Sequence, residues 1–197
     1  MEPFMTIMVA MDENNGIGLN NILPWCLPGD WNWFLTISTN TIDPKKRNAV
    51  IFGRLSYESL LKQDRSPLKH WHTIVISSNS EAIKQQSSET SVTVVPTFER
   101  AAQYSYDMFH NADQNIENVY VLGGVQVYDQ AVKLKLVKRI YLTRIFATFN
   151  CDTYWTTLDL SGFKPVKRNS NEILSTEDGQ IKEENGCKYQ FQIYEIA

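Results

Sequence analysis

The sequence of 197 residues lacks any apolar run close to the roughly 20 residues that a membrane-spanning helix requires. It also lacks a surplus of basic charge, because 19 lysines and arginines stand against 22 acidic residues and the net charge is −3. That balance argues against a broad basic surface for nucleic acid or an anionic membrane. The first 11 residues include Glu2 and Pro3 and no basic residue, which is not the pattern of a secretory signal. We therefore expect a soluble protein without membrane or nucleic-acid partners.

Cysteine and histidine are scarce. The three cysteines, Cys26, Cys151 and Cys187, are far apart and form no Cys-x-x-Cys pair. An odd number of distant cysteines argues against a disulfide framework, and the three histidines add no zinc-binding pattern to them. The sequence therefore predicts no metal site and a reduced, cytoplasmic setting.

Short apolar runs alternate along the chain with segments of helical periodicity, and 43% of the residues are hydrophobic, enough to fill a core. The predicted strands are 6–11, 49–52, 73–76, 91–95, 119–122 and 139–144. The predicted helices are 28–39, 56–61, 97–109 and 125–132, and polar loops are predicted over 12–23 and 80–91. Turn signals at 178–179 and 185–186, the second followed by alternating residues, indicate a hairpin. We expect one α/β domain over residues 1–197, with a mainly parallel twisted sheet, flanking helices and an antiparallel C-terminal edge hairpin.

In open parallel sheets, ligands bind beyond the carboxyl ends of the strands, and a single carboxylate stands out near the first of these ends. Asp30 is set among aromatic residues, including Trp25, Trp31 and Phe34. Such surroundings disfavour the ionised form and suit proton chemistry or pairing with a cationic heterocycle. The alternative is that Asp30 only complements the dipole of its helix, and the neighbouring sequence does not decide between the two.

Three further strand ends carry small or polar residues that suit an anion. Residues 53–56 place Gly53, Arg54 and Ser56 where a strand gives way to a helix, and Gly123-Gly124 does the same after a later strand. A third strand ends at 77–79 with two serines and an asparagine. Each pattern alone is more typical of an ordinary cap or turn, and no Gly-x-Gly-x-x-Gly motif occurs. Their shared position at strand ends is what indicates a site.

Several segments together carry a more specific pattern, because Pro-Trp is followed five residues later by an acid and Gly-Gly comes shortly before a tyrosine. In chain order the segments are Val9-Ala10, Asn15-Gly16-Ile17-Gly18, Leu23-Pro24-Trp25, Asp30 with Phe34, residues 53–56, Ser77-Ser78, Gly123-Gly124 with Tyr128, Leu142-Thr143-Arg144, Asp152-Thr153 and residues 188–194. In this order the chain resembles the dihydrofolate reductases over nearly its whole length. The resemblance implies a monomeric cytoplasmic oxidoreductase that reduces dihydrofolate, a small-molecule substrate, with NADPH as its cofactor.

The resemblance also implies roles for individual residues. Asp30 would hold the pterin and favour the protonated N5 that accepts hydride at C6, Thr143 would orient it, and Leu23 and Trp25 would belong to a mobile loop over the nicotinamide. The implied substrate-binding residues are Met8, Val9, Asp30, Trp31, Phe34, Leu60, Leu68, Leu122, Tyr128 and Thr143. The implied cofactor-binding residues are Ala10, Ile17, Gly18, Arg54, Leu55, Ser56, Ser77, Ser78, Asn79, Gly123, Gly124, Val125, Gln126, Val127, Tyr128 and Thr153.

Two departures from the family pattern bear on specificity. An arginine that grips the α-carboxylate of the substrate normally precedes the third strand, and Trp71 occupies that position here. An indole does not replace a bidentate guanidinium, so either folate binds weakly or another basic group compensates. The candidates for compensation are Arg65, Lys69, His70 and His72. At the cofactor, where vertebrate members use further arginines, the chain has Ser78 and Pro96, so a preference for NADPH would rest largely on Arg54.

Two alternatives to the reductase remain open. One is a diverged paralogue that binds NADPH or folate without turnover. The other is a reductase of a pterin or pyrimidine that lacks the glutamate tail. The groups expected to touch the reacting rings are all present, and this favours the reductase of dihydrofolate.

Overall fold

A computed structural model of the chain describes residues 1–62, 67–86, 92–166 and 179–197. Its strands are β1 (Met5–Met11), β2 (Gly16–Gly18), β3 (Arg47–Gly53), β4 (Trp71–Ile76), β5 (Val92–Val95), β6 (Ile116–Gly123), β7 (Val137–Ile145), β8 (Thr153–Tyr154), β9 (Phe163–Pro165), β10 (Ile181–Glu184) and β11 (Cys187–Ile196). Its α-helices are α1 (Pro28–Thr39), α2 (Arg54–Leu61), α3 (Ser80–Gln86), α4 (Phe98–His110) and α5 (Val125–Lys133), with 3₁₀ turns at Leu68–His70 and Ala112–Gln114.

Nine of these strands form one sheet, in the order β10-β11-β7-β1-β6-β3-β4-β5, with β9 also paired to β11. All neighbours from β7 to β5 run parallel, whereas β11 is antiparallel to β7, β9 and β10. β1 lies in the middle and is almost wholly buried, as expected for an apolar strand that is covered on both faces. The predicted fold class, a mainly parallel sheet with an antiparallel C-terminal edge, is confirmed.

Each face of the sheet carries its own apolar core, because successive side chains of a strand point to opposite faces. On one face Ile7 and Ile140 pack with α4 and α5. On the other face Met8 and Tyr141 pack with α1 and α2. α1 contributes Trp33, whose ring stacks on that of Phe191 at a centroid distance of 4.1 Å.

Residues 80–91 were expected to form only a polar loop, and this prediction is wrong for the described part of the segment, where α3 occupies Ser80–Gln86. The side chain of Asn79 accepts a hydrogen bond from the Ala82 amide at 3.1 Å, which caps the first turn. Ile83 is fully buried and supplies the apolar anchor. One apolar side chain in a polar segment leaves no helical periodicity for a sequence pattern to detect.

The loop predicted over 12–23 also contains a strand, since β2 pairs with β8 in a separate two-stranded sheet. Thr97, where a predicted helix begins, caps α4, because its hydroxyl accepts a hydrogen bond from the Arg100 amide at 3.3 Å. The turn predicted at 185–186 is confirmed between β10 and β11, where Asn185 and Gly186 have φ values of 50° and 75°. Ser91 and Asp178 lie outside the described residues. Within those residues, none of the helices has the length and apolar character needed to cross a membrane.

Candidate active site

The carboxyl ends of the parallel strands open into a cleft of about 770 Å³. Strand, helix and loop residues from distant parts of the chain line it. The predicted site residues among them are Met8, Val9, Ala10, Ile17, Gly18, Leu23, Asp30, Trp31, Phe34, Arg54, Leu55, Ser56, Leu60, Ser77, Ser78, Leu122, Gly123, Gly124, Val125, Gln126, Val127, Tyr128, Thr143 and Thr153. The strand-end positions singled out in the sequence are therefore brought to one place.

Asp30 lies in the first turn of α1 and shares the buried side of that helix with Trp33 and Ile37. Only 8% of Asp30 is exposed, and the hydroxyl of Thr143 donates a hydrogen bond to its Oδ1 at 2.7 Å. Burial raises the pKa of the Asp30 carboxyl from the usual 3.8 to about 6, while the Thr143 hydrogen bond lowers it and the nearby Glu184 carboxylate raises it further. The site thus holds a buried acid that titrates close to neutral pH.

Aromatic and aliphatic side chains form the walls around Asp30. Trp31 and Phe34 stack on each other at 5.2 Å between ring centroids and are one helical turn apart on α1. Leu60 from α2 and Leu122 from β6 line the same part of the cleft. These walls suit a flat heterocycle placed against the acid.

The other half of the cleft is bordered by the first turns of α2 and α5, neither of which has a side-chain cap. Their free amides therefore remain available to an anionic ligand. The Gly123–Gly124 peptide is cis, and Gly123 has φ of 129°, a value that side chains rarely allow. A Cβ at either glycine would lie within about 3 Å of the Ser56 hydroxyl: 3.0 Å at Gly123 and 3.2 Å at Gly124. Backbone alone fits between this hydroxyl and the cleft.

Arg54 is the one positively charged side chain among the described residues that line the cleft. It lies at the start of α2 and pairs with Glu58 at 2.9 Å, with about half of its side chain exposed. Across the cleft, the hydroxyl of Tyr128 donates to the Met8 carbonyl at 3.0 Å, and burial raises the pKa of that tyrosine. Arg54 is thus paired with a neighbour on its own helix, whereas the tyrosine is held by the backbone of β1.

The loop that carries β2 is tied down by two carboxylates. Asp12 is fully buried, and it accepts hydrogen bonds from the Gly16 amide at 2.7 Å and the Phe149 amide at 2.9 Å. Asp152 accepts from the Asn20 amide at 2.7 Å. The two contacts join the residues on either side of β2 to the segment that follows β7, so this part of the cleft is built from two chain segments more than 100 residues apart.

Three predicted site residues lie outside the lining. Trp25 is buried against Phe149, with ring centroids 5.4 Å apart, and its Nε1 has no partner among the described residues. Leu68 is buried in a 3₁₀ turn, and the side chain of Asn79 caps α3. The sequence analysis noted Gly53 and Pro96, which also line the cleft, without placing them in the implied binding sets. The lining residues that it did not name as site residues are Asn21, Ile22, Trp33, Phe52, Ser59, Ile76 and Gln130. Extending the neighbouring motifs by one residue would have found Ile22 and Ile76.

Trp71 is fully buried beneath α1, where its Nε1 donates to the Ser38 carbonyl at 2.9 Å. Its ring meets Phe34 edge-on at 5.9 Å and so supports the cleft wall from behind. Of the basic residues considered as substitutes, Lys69 and His70 are exposed outside the lining. His72 lies among Thr93 and Tyr104, where burial lowers its pKa. Arg65 lies outside the described residues.

Comparison with known proteins assigns the chain to a family. The family profile described as dihydrofolate reductase matches residues 4–196. The chain belongs to the dihydrofolate reductase family. A relative from Caenorhabditis elegans is 38% identical over 95% of this chain and 94% of its own length. The dihydrofolate reductase of Aedes albopictus is 35% identical over 96% of both chains.

A solved structure is similar over the full length as well. The dihydrofolate reductase of Schistosoma mansoni matches with a TM-score of 0.78 and 30% identity, and the match covers 100% of each chain. Membership of the dihydrofolate reductase family makes the protein an oxidoreductase that takes a nicotinamide cofactor and a small-molecule substrate. Among the described residues there is no cluster of side chains able to hold a metal ion.

Proposed function

We propose that the protein catalyses the NADPH-dependent reduction of 7,8-dihydrofolate to tetrahydrofolate, as its family implies. The observation that carries the proposal is the buried Asp30, paired with the Thr143 hydroxyl inside a cleft with aromatic walls. A lone carboxyl with a pKa of about 6 can bind a basic heterocycle as an anion and can also hold a proton near neutral pH.

The residues around the proposed substrate have separate tasks. Asp30 receives the amino group and ring nitrogen of the pterin and favours protonation at N5, and Thr143 fixes the direction of the carboxylate through its hydrogen bond. Trp31 and Phe34 stack beside the ring and exclude water, which maintains the raised pKa of Asp30. The chain thus supplies orientation and a proton at the site of reduction.

The other half of the cleft fits the cofactor. NADPH, when bound, supplies the hydride that is added to C6 of the substrate. Gly123 and Gly124 leave room for close approach by a ring or a phosphate, and the uncapped first turns of α2 and α5 offer amides to anionic groups. Arg54, the single lining cation of the described residues, suits the 2′-phosphate that distinguishes NADPH from NADH.

A second candidate substrate is a dihydropterin without a glutamate tail. The observation that favours it is Trp71, which is buried and bonded to the Ser38 carbonyl at the position where the family has its carboxylate-binding arginine. Neither Lys69 nor His70 lines the cleft in its place. On this alternative the ring is recognised through Asp30 as before, but the tail adds little to kcat/KM.

The experiment is the oxidation of NADPH, followed by absorbance, with dihydrofolate and with a 6-methyl-dihydropterin. The protein is compared with Asp30→Asn and with Asp113→Asn, a matched change of an exposed acid in the 3₁₀ turn before the amino end of β6. We expect turnover of dihydrofolate that falls by about 100-fold or more in Asp30→Asn, because general acid–base groups typically contribute that much. The Asp113→Asn control should retain full activity.

The outcomes separate the candidates. Strong preference for dihydrofolate supports the folate reductase, and equal kcat/KM values for the two substrates support the tail-less pterin. Binding of NADPH with no turnover of either substrate would leave the non-catalytic paralogue as the function. If Asp30→Asn keeps the turnover of the wild type, Asp30 has no part in the reaction.

A further inference from the structure

The first turn of α1, which carries Asp30, has no side-chain cap from the residue at its N-cap position. Leu27 occupies the N-cap position and offers no side-chain acceptor to the helix amides. The amide of Gly29, next to Asp30, instead donates to Oε2 of Glu184 at 2.8 Å, across 155 residues of sequence. A carboxylate from another element therefore takes the place of the missing cap.

Glu184 is held in place by the hairpin to which it belongs. It is the last residue of β10, and Asn185 in the following turn donates through Nδ2 to the Cys26 carbonyl at 2.7 Å. The hairpin thus contacts the segment before α1 at one point and the first turn of α1 at another. The next strand, β11, also supports the helix, since Phe191 stacks on Trp33 with an interplanar angle of 8°.

The fit between the hairpin and the helix leaves no space for a side chain at position 29. A Cβ on Gly29 would overlap both Oε1 of Glu184 and the hydroxyl of Tyr189. The carboxylate therefore lies directly against the backbone of the residue that precedes Asp30. A displacement of Glu184 would be transmitted to the acid through one peptide unit.

The charge of Glu184 acts on Asp30 as well. The pKa of Asp30 is raised first by burial and then by the Glu184 carboxylate, against the Thr143 hydrogen bond from β7. The hydroxyl of Tyr189 on β11 lies at the same turn, and the hydroxyl of Tyr128 on α5 lines the cleft to which Asp30 belongs. Among the described residues, Glu184 supplies the negative charge that raises the pKa of Asp30.

We propose that Glu184 is a positioning residue for the reduction: its carboxylate caps the first turn of α1, fixes Asp30 against Thr143 and places a second negative charge beside it. This inference rests on the proposed function, because it assigns a consequence for catalysis to a contact outside the cleft. Glu184 is not among the residues that line the cleft, and it acts through α1.

The test compares Glu184→Gln, Glu184→Ala and Glu183→Gln in the full chain. Glutamine keeps an oxygen for the Gly29 amide and removes the charge, whereas alanine removes both. Glu183 is the exposed neighbour on the same strand and provides a control of equal charge. Three measurements are made on each variant: the titration of the Asp30 carboxyl by carbon-13 NMR in the ligand-free protein, the hydrogen exchange of the Gly29 amide, and kcat/KM for dihydrofolate against pH.

In Glu184→Gln we expect the titration midpoint of Asp30 to fall below that of the wild type, because a repelling charge is gone. The midpoint in kcat/KM, which reports groups of the free enzyme, should fall with it. In Glu184→Ala the hydrogen exchange of the Gly29 amide should also accelerate, and kcat/KM should drop by about two- to tenfold at every pH, the range expected for one lost hydrogen bond. Glu183→Gln should match the wild type in all three.

Equal Asp30 midpoints in wild type and Glu184→Gln would overturn the inference, as would an equal shift in Glu183→Gln. If Glu184→Ala does not fold, Glu184→Gln decides alone. Absence of turnover by the wild type would refute the proposed function, while the NMR titration of the ligand-free protein would still decide the role of Glu184.

Discussion

Replacing Asp30 by asparagine should stabilise the protein at neutral pH while it removes activity. Burial raises the pKa of the folded-state carboxyl to about 6, against 3.8 in an exposed chain. The folded state therefore binds this proton more tightly than the unfolded state does. Between about pH 4 and about pH 6 unfolding therefore releases the Asp30 proton. The free energy of unfolding falls as the pH rises through this range, until Asp30 is ionised in the folded state as well.

The size of the effect follows from that difference. At pH 7.5 the ionised Asp30 costs the folded state about 3 kcal/mol relative to a neutral side chain, since a tenfold change in proton affinity is 1.36 kcal/mol. At pH 4.5 the carboxyl is mostly protonated in the folded state, and the cost of Asp30 to the free energy of unfolding is only about 1 kcal/mol. Asparagine is uncharged at both pH values and keeps an oxygen that can accept a hydrogen bond from the Thr143 hydroxyl. The increase in the free energy of unfolding caused by Asp30→Asn should therefore be about 2 kcal/mol larger at pH 7.5 than at pH 4.5.

The assay is urea unfolding of the wild type and Asp30→Asn at pH 4.5 and 7.5, with Asp113→Asn as the exposed control. Other carboxyls titrate equally in both proteins, so the difference between variants at each pH isolates Asp30. A gain that is the same at both pH values, or no gain at pH 7.5, would refute the reasoning, because it would mean that the buried carboxyl carries no cost of ionisation.

Two further predictions concern the cofactor half and the loop. Arg54→Leu should raise KM for NADPH by about tenfold or more and leave KM for NADH unchanged, since a charge-assisted phosphate contact contributes about 1.5–3 kcal/mol. Arg100→Leu, at an exposed arginine of α4, is the control, and an equal loss for both cofactors would contradict the assignment. Asp12→Asn should cost about 2 kcal/mol, because an amide NH₂ must face one of the backbone amides that the carboxylate now accepts. Hydrogen exchange at Gly16 and Phe149 should accelerate, and unchanged exchange would show that Asp12 does not anchor the loop.

The central strands could be predicted because burial on both faces of a parallel sheet demands a run of apolar residues. The predicted strand 49–52 lies inside β3, and 119–122 lies inside β6. The boundaries differ because strand ends are set by pairing, as where Arg47 at the start of β3 pairs with Ile116. α3 escaped prediction because Ile83 alone buries its apolar face, and the remaining stability comes from a cap and from packing.

The sequence pointed to Asp30 as a candidate site residue, but its neighbours could not show whether it has a role beyond its helix dipole. An acid in the first turn of a helix is common, and Asp30 differs only because its side of α1 faces the sheet. Thr143 lies 113 residues away, and it reaches Asp30 because β7 pairs in parallel with β1, where Thr143 stands opposite Ala10. Register between strands is a property of the assembled sheet, and local patterns do not specify it.

The contact of Glu184 is harder to predict from the sequence than the position of any residue of the cleft. Its contact is with a backbone amide, which every residue except proline carries, so the partner leaves no mark in the sequence. The one trace is the glycine at position 29, directly after a helix-starting proline, where any side chain would meet the carboxylate. Gly29→Ala is therefore a second route to the same perturbation: it should displace Glu184, expose the Gly29 amide to exchange, and lower the Asp30 midpoint as Glu184→Gln does. If Gly29→Ala leaves the Asp30 titration unchanged, the hairpin supports α1 without influencing its acid.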